Sequence, residues 1–169
     1  MKIIEMTVTY PIDETAREVL LGFKKKNIGK GLYNGPGGSV NDDETLVHAA
    51  LREMNEEVGE NVQVNSLEYM GILFVTFEDT DSLVIIHYFV GYGLTGKPKE
   101  TDELIPRRFS LDAIPFHQMW PNDPFMMPFM INGQCMFGLV QYNNIESRRM
   151  LSAHFSPITR EELEEALPV

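Results

Sequence analysis

Three glutamates within five residues, Glu53, Glu56 and Glu57, have the spacing that gathers carboxylates on one side of a helix. At about 100° per residue, positions i, i+3 and i+4 stack along a single face. Alone, such a set is unfavourable: like charges at these separations cost about 0.2–0.5 kcal/mol per pair, and acids near a helix C-terminus oppose its dipole. A captured divalent cation would reverse both penalties. Ligands that are all oxygen suit a hard ion, Mg²⁺, with Mn²⁺ as a substitute. The competing reading is a solvated acidic face, the commoner fate of charged side chains. The formal net charge of -11 bears on the choice of partner. It excludes a nucleic-acid polymer, whose binding rests on many Lys and Arg contacts, and leaves a small phosphorylated ligand bridged to carboxylates through cations.

A helix must hold these acids, and the segment from Thr45 to Val58 predicts one. It lacks Gly and Pro, and Val47, Ala50, Leu51, Met54 and Val58 recur at helical spacing, with Asp43 ahead as the cap and Gly59 as the stop. The apolar set centres roughly a quarter turn from the acids, so the helix is expected to bury Val47, Leu51, Met54 and Val58 beside a cleft. Before it, Ile3 to Tyr10 and Glu18 to Lys24 are β-prone, separated by a turn from Pro11 to Thr15, and a Gly-rich stretch runs from Gly29 to Gly38. After it, strands are expected at Val62 to Phe77, Leu83 to Gly91, Ile105 to Ser110, Gln134 to Tyr142 and Met150 to Phe155. Short helices are expected at Asp123 to Met130 and Thr159 to Ala166. Strands with interspersed helices make the fold class α+β, a mixed sheet between helices.

With 169 residues, the chain is expected to form one domain over 1–169. Its 43% hydrophobic and 23% charged residues are those of a soluble globular protein, with no apolar run long enough to span a membrane. Glu5 falls where a signal peptide needs apolar residues, so a cytoplasmic location is expected. The lone Cys135 excludes an internal disulfide, and one Cys with scattered His has no zinc-site spacing.

Around the acids the spacing becomes specific. Gly38, five residues, Glu44, seven residues, then Arg52-Glu53-Met54-Asn55-Glu56-Glu57-Val58-Gly59 is a signature with every polar position filled. It resembles that of the Nudix hydrolases, departing only at Glu60, where the family has an aliphatic residue. The resemblance implies that Glu53, Glu56 and Glu57 are metal ligands, that Arg52 orients a carboxylate, and that Gly37 and Gly38 let backbone approach metal and phosphate. The implied chemistry is metal-assisted attack of water on phosphorus, with diphosphate leaving. Glu56, Glu57 or Glu103 is the base, and Glu103 matches an acid that approaches the metal in related nucleotide diphosphatases.

The likeness extends over nearly the whole chain to one branch of that family, the animal-type MutT-homologue 8-oxo-dGTP diphosphatases. The matching segments are 20–25, 31–38, Asp102-Glu103 and Ile114-Pro115-Phe116-His117-Gln118-Met119-Trp120-Pro121-Asn122-Asp123. They imply that Trp120 stacks on a purine, that Asn34, Asn122 and Asp123 read the base edge, and that Lys24 joins them in binding substrate. Asn122 stands where those relatives have Asp, which narrows the expected range to 8-oxoguanine over oxidised adenines. Ile28, Phe74, Phe77 and Tyr142 are apolar candidates for pocket walls, and His87 reads as a hydrogen-bonded core histidine. Other readings are another diphosphate-linked or unmodified nucleotide substrate, or a non-catalytic nucleotide sensor. The complete acid set favours catalysis.

Overall fold

The computed structural model describes residues 1–167, so the last two positions of the expected domain lie outside the described residues. In chain order its elements are β1 (Lys2–Asp13), β2 (Glu18–Lys24), β3 (Tyr33–Asn34), β4 (Gly37–Ser39), α1 (Leu46–Val58), β5 (Ser66–Phe77), β6 (Ser82–Tyr92), β7 (Leu104–Ser110), α2 (Asp123–Met130), β8 (Met136–Tyr142), β9 (Met150–Pro157) and α3 (Arg160–Glu165). A short 3₁₀ turn, Phe116–Gln118, precedes α2. The strands run in the order β3-β2-β1-β6-β5-β8-β9, with β4 also beside β1 and β7 beside β2. β1 pairs with β6, and β5 with β8, in parallel; the other pairs are antiparallel. The sheet is therefore mixed, as expected for an α+β chain.

Strand alternation divides the apolar residues between two faces. On β2, Val19 and Leu21 join the main core while Leu20 joins a smaller one, because successive side chains point to opposite sides of a sheet. α1 brings Met54 and Val58 to the smaller core, against Leu104, Val62 and Leu94. α2 brings Met126, Met127 and Met130 to the main core, and burying each such side chain contributes roughly 1.5–3 kcal/mol. Gly71 and Gly138 make room for them: a β-carbon at either would press on the sulfur of Met130 or Met126. α3 seats Leu163 in the main core, and its start is fixed by a capping box between Thr159 and Glu162.

Several expectations shift. The turn expected from Pro11 to Thr15 is later, because β1 continues through Pro11, Ile12 and Asp13 to pair with β6 and β2. The Gly-rich stretch contains β3 and β4. Residues 62–65 precede β5, with Val62 buried in the smaller core and Gln63 bridged only to Thr95. The cap of α1 is Thr45, whose Oγ1 accepts from the His48 N–H at 3.2 Å, and not Asp43. Val47 and Leu51 are exposed; Ala49, Ala50, Met54, Glu57 and Val58 form the inward face. Small alanines let the helix pack close to the sheet, and the stripe they start turns two acids inward. Among the described residues, no helix is long and apolar enough to cross a membrane.

Candidate active site

The last two turns of α1 lie over the Gly37–Ser39 strand, and this contact builds one end of the site. Glu57 is buried, with Oε2 accepting from the Gly37 N–H at 3.0 Å and Oε1 3.3 Å from Lys24 Nζ. Glu53 lies over Gly38, where any β-carbon would run into its carboxylate. The absence of a side chain at position 38 thus leaves the Glu53 carboxylate the place it occupies.

Arg52 fastens the arrangement. Its Nε and Nη2 form a fork on Glu44 at 2.6 and 2.8 Å, Nη2 also donates to the Ser39 carbonyl, and Nη1 reaches Glu53 Oε1 at 2.7 Å and Glu56 Oε2 at 3.3 Å. The hydrogen bonds from Arg52 hold the Glu44 carboxyl down at about 2, and those to Glu44 and Glu53 raise the guanidinium further above its ordinary range.

The three acids do not share one environment. The Glu53 and Glu57 side chains are 13% and 4% exposed, whereas that of Glu56 is 59% exposed. Burial pushes the titration of both inward carboxyls up. Glu56 and Glu103 raise Glu53 further, and Glu53 in turn raises Glu57. Glu103, in the bend before β7, is therefore near enough for its charge to act on the set. Among the described residues, no three His, Cys, Asp or Glu side chains enclose a ready-made ion site. The donor set nevertheless fits a hard divalent cation: its groups are all oxygen, and its buried charges repel one another.

The other end is built from the start of α2 and the strands beneath it. Asp123 is buried; Oδ1 accepts from the Tyr10 hydroxyl at 3.2 Å and Oδ2 from the Trp120 N–H at 3.0 Å. Burial pushes its carboxyl up to about 7, the two hydrogen bonds opposing that rise. Asn122 is held at both ends of its amide: Nδ2 donates to the Tyr88 hydroxyl at 3.3 Å, and Oδ1 accepts from the Tyr142 hydroxyl at 2.8 Å. Asn34 Oδ1 accepts from the Gly35 N–H at 2.9 Å, which leaves the amide nitrogen to donate.

One cleft joins the two ends. Lys24, Asn34, Gly37, Glu57, Trp120, Asn122 and Asp123 all line it, and it holds about 840 Å³ of atom-free space including its open mouth. Ile28, Phe77 and Tyr142 are also in its walls, but Phe74 is not; it faces a separate groove with Leu83 and Leu139. His87 is a core residue, paired through Nδ1 with the Tyr69 hydroxyl at 3.0 Å and lowered to about 4 by burial.

Tyr10 and Tyr88, whose hydroxyls bond Asp123 and Asn122, are site groups that sequence reasoning missed. Their signal was present as hydroxyls in apolar strands, which must find a partner when buried. The identity of those partners depends on the parallel pairing of β1 with β6, which sets their rings 5.9 Å apart.

Residues 5–130 match the model of the NUDIX domain. The chain is 38% identical over 124 residues, 73% of its length and 78% of the relative's, to an oxidized purine nucleoside triphosphate hydrolase of Danio rerio. It is 34% identical over 128 residues, 76% of its length and 81% of the relative's, to the protein of the same name in Mus musculus. The crystal structure of a mutator MutT protein from Bacillus halodurans superposes with a TM-score of 0.76 at 21% identity, covering 90% of this chain and 97% of that one.

Proposed function

The chain belongs to the Nudix family of hydrolases, and from that membership we propose that it cleaves oxidised purine nucleoside triphosphates, 8-oxo-dGTP among them, to the nucleoside monophosphate and diphosphate. The observation that carries this reading is the continuity of one cleft from Trp120, Asn122 and Asp123 to Lys24, Gly37 and Glu57. An aromatic face with base-edge groups at one end, and clustered acids at the other, suit a purine and a polyphosphate joined through a sugar.

Nudix hydrolases need a divalent metal, and here the proposed ion is Mg²⁺, held by Glu53 and Glu57 with Glu56, Glu103 and the Gly37 backbone. When bound, the cation polarises a phosphoryl oxygen and lowers the pKa of a water. The chain's own groups do the rest. Arg52 keeps Glu53 aligned and ties the helix to the Ser39 carbonyl. The Lys24 ammonium, already beside Glu57, offers a positive charge to phosphate oxygens. Of the acids proposed to hold the cation, Glu56, the most exposed of the helix set, or Glu103 would take the attacking water's proton where the cation leaves its carboxylate unengaged. Trp120 supplies the stacking face, while Asp123 and Asn34 read the base edge. Asn122, fixed by two tyrosines, presents an amide whose state does not change with pH. A fixed amide beside the Asp123 carboxyl is expected to favour 8-oxo-dGTP over 2-hydroxy-dATP. The proposed setting is the cytoplasm, and the partner a free nucleotide rather than a nucleic-acid polymer or a membrane.

The test is a substrate panel of 8-oxo-dGTP, 2-hydroxy-dATP, dGTP and dATP with Mg²⁺, each product resolved. Monophosphate plus diphosphate, with 8-oxo-dGTP the best substrate, is expected. Stepwise release of orthophosphate would refute the bond assignment, and equal efficiency on the two oxidised substrates would refute the role given to Asn122.

A further inference from the structure

Trp120 is braced from outside the cleft. The Arg148 guanidinium carbon stands 5.6 Å from the centroid of its ring, within the range in which a cation is attracted to an indole face. Trp120 lines the cleft, and Arg148 is not among the residues that line it. The rest of the ring is confined as well. Tyr142 approaches it at 5.5 Å, tilted by 57°, and Gly29 lies so near the indole nitrogen that a β-carbon there would sit 3.3 Å from Nε1.

Arg148 is presented by a tightly bonded turn between β8 and β9. The Asn143 N–H donates to the Arg149 carbonyl at 3.0 Å, the Arg149 N–H to Asn143 Oδ1 at 2.9 Å, and the Arg148 N–H to the Asn144 carbonyl at 3.1 Å. Arg148 itself has φ 51°, a left-handed conformation uncommon for a side chain of this kind. Its charge is not spent elsewhere: Arg17, Arg52, Arg108 and Arg160 are ion-paired, whereas among the described residues Arg148 is not. The family model ends at residue 130, so this turn lies beyond the part of the chain that it matches.

We propose that Arg148 is a positioning residue for substrate binding, holding Trp120 from its outer side so that the opposite indole face is preset for a purine. The proposal rests on the purine reading of the cleft. A preset ring loses less conformational freedom when the base arrives, so the benefit belongs to binding and not to the chemical step.

Because the chain has one tryptophan, its fluorescence reports on this ring alone. Wild type, Arg148→Ala, Arg148→Lys and Arg149→Ala should be compared in two measurements: 8-oxo-dGTP kinetics, and quenching of Trp120 by the neutral quencher acrylamide. Arg149 is the control, being exposed and carrying the same charge. Arg148→Ala is expected to raise KM about 3- to 10-fold with kcat within about twofold, and Arg148→Lys to recover part of the loss. Quenching should increase in Arg148→Ala and stay at the wild-type level in Arg149→Ala. Equal behaviour of the two alanine variants, or a loss confined to kcat, overturns the proposal. If wild type hydrolyses no oxidised purine triphosphate, the functional reading fails, while the quenching comparison still decides whether Arg148 braces the ring.

Discussion

Asp123 is a carboxyl whose proton the folded chain holds more tightly than an unfolded chain would. Burial raises it from an ordinary value of 3.8 to about 7, while the Tyr10 hydroxyl and the Trp120 N–H pull the other way. The linkage therefore runs against the usual acid-denaturation pattern. Between those two values the folded state binds more protons than the unfolded one, so this group's contribution to stability is complete at low pH. It is lost as pH rises toward 7, by up to about 1.4 kcal/mol per pH unit. Asp123→Asn removes the titration and keeps a polar group of the same shape. Urea midpoints measured from pH 5 to pH 8 are expected to fall more steeply in wild type than in this variant; parallel curves would show that Asp123 ionises as an ordinary acid. Glu53 and Glu57 are raised in the same direction but remain in both proteins, so the difference isolates Asp123. Trp120, Asn122 and Asp123 were legible in the sequence through the family resemblance of the segment 114–123, which carries all three. The hydroxyl partners Tyr10 and Tyr88 were not, since they are distant in sequence and meet this segment only through strand pairing.

At the scale of elements, α1 carries the acids and its register decides which of them turn inward. Thr45 fixes that register by accepting a backbone N–H of the first turn, so Thr45→Ala is expected to cost about 1 kcal/mol in a denaturant titration. Asp43, exposed and making no cap bond, is expected to tolerate alanine with a change below about 0.5 kcal/mol. The reverse order would return the cap to Asp43. The length of this helix was legible, because Gly59 ends it and no Gly or Pro interrupts it. Its orientation was legible in part: Met54 and Val58 are buried as the apolar spacing predicts. Val47 and Leu51 face solvent, while Ala49 and Ala50 face the sheet and set the stripe that continues through Glu53 and Glu57. The strand at Gly37–Ser39 was illegible. Glycine carries little β signal, yet only glycine fits at position 37, where a β-carbon would collide with the Thr7 carbonyl.

At the scale of the whole molecule, a net charge of -11 opposes the approach of a polyphosphate, and the distribution of that charge matters more than its sum. Lys24, Lys25, Lys26 and Lys30 fall within seven residues, and this segment borders the cleft through Lys24, Ile28 and Gly29. Lys24 is engaged with Glu57 and Lys25 with Glu100, whereas Lys26 and Lys30 are exposed and make none of the salt bridges found among the described residues. They are not among the residues lining the cleft but belong to the segment that borders it, where a positive patch can steer an anion that the rest of the surface repels. Steering acts on encounter and is screened beyond a Debye length of about 10 Å at 0.1 M salt. The double variant Lys26→Glu, Lys30→Glu is therefore expected to lower kcat/KM for 8-oxo-dGTP about 3- to 10-fold at low ionic strength, with kcat unchanged. The gap should close as KCl is raised toward about 0.3 M at constant free Mg²⁺. A deficit that persists at high salt, or that appears in kcat, would mean that these lysines act on bound substrate and that the approach of nucleotide is not guided by this patch.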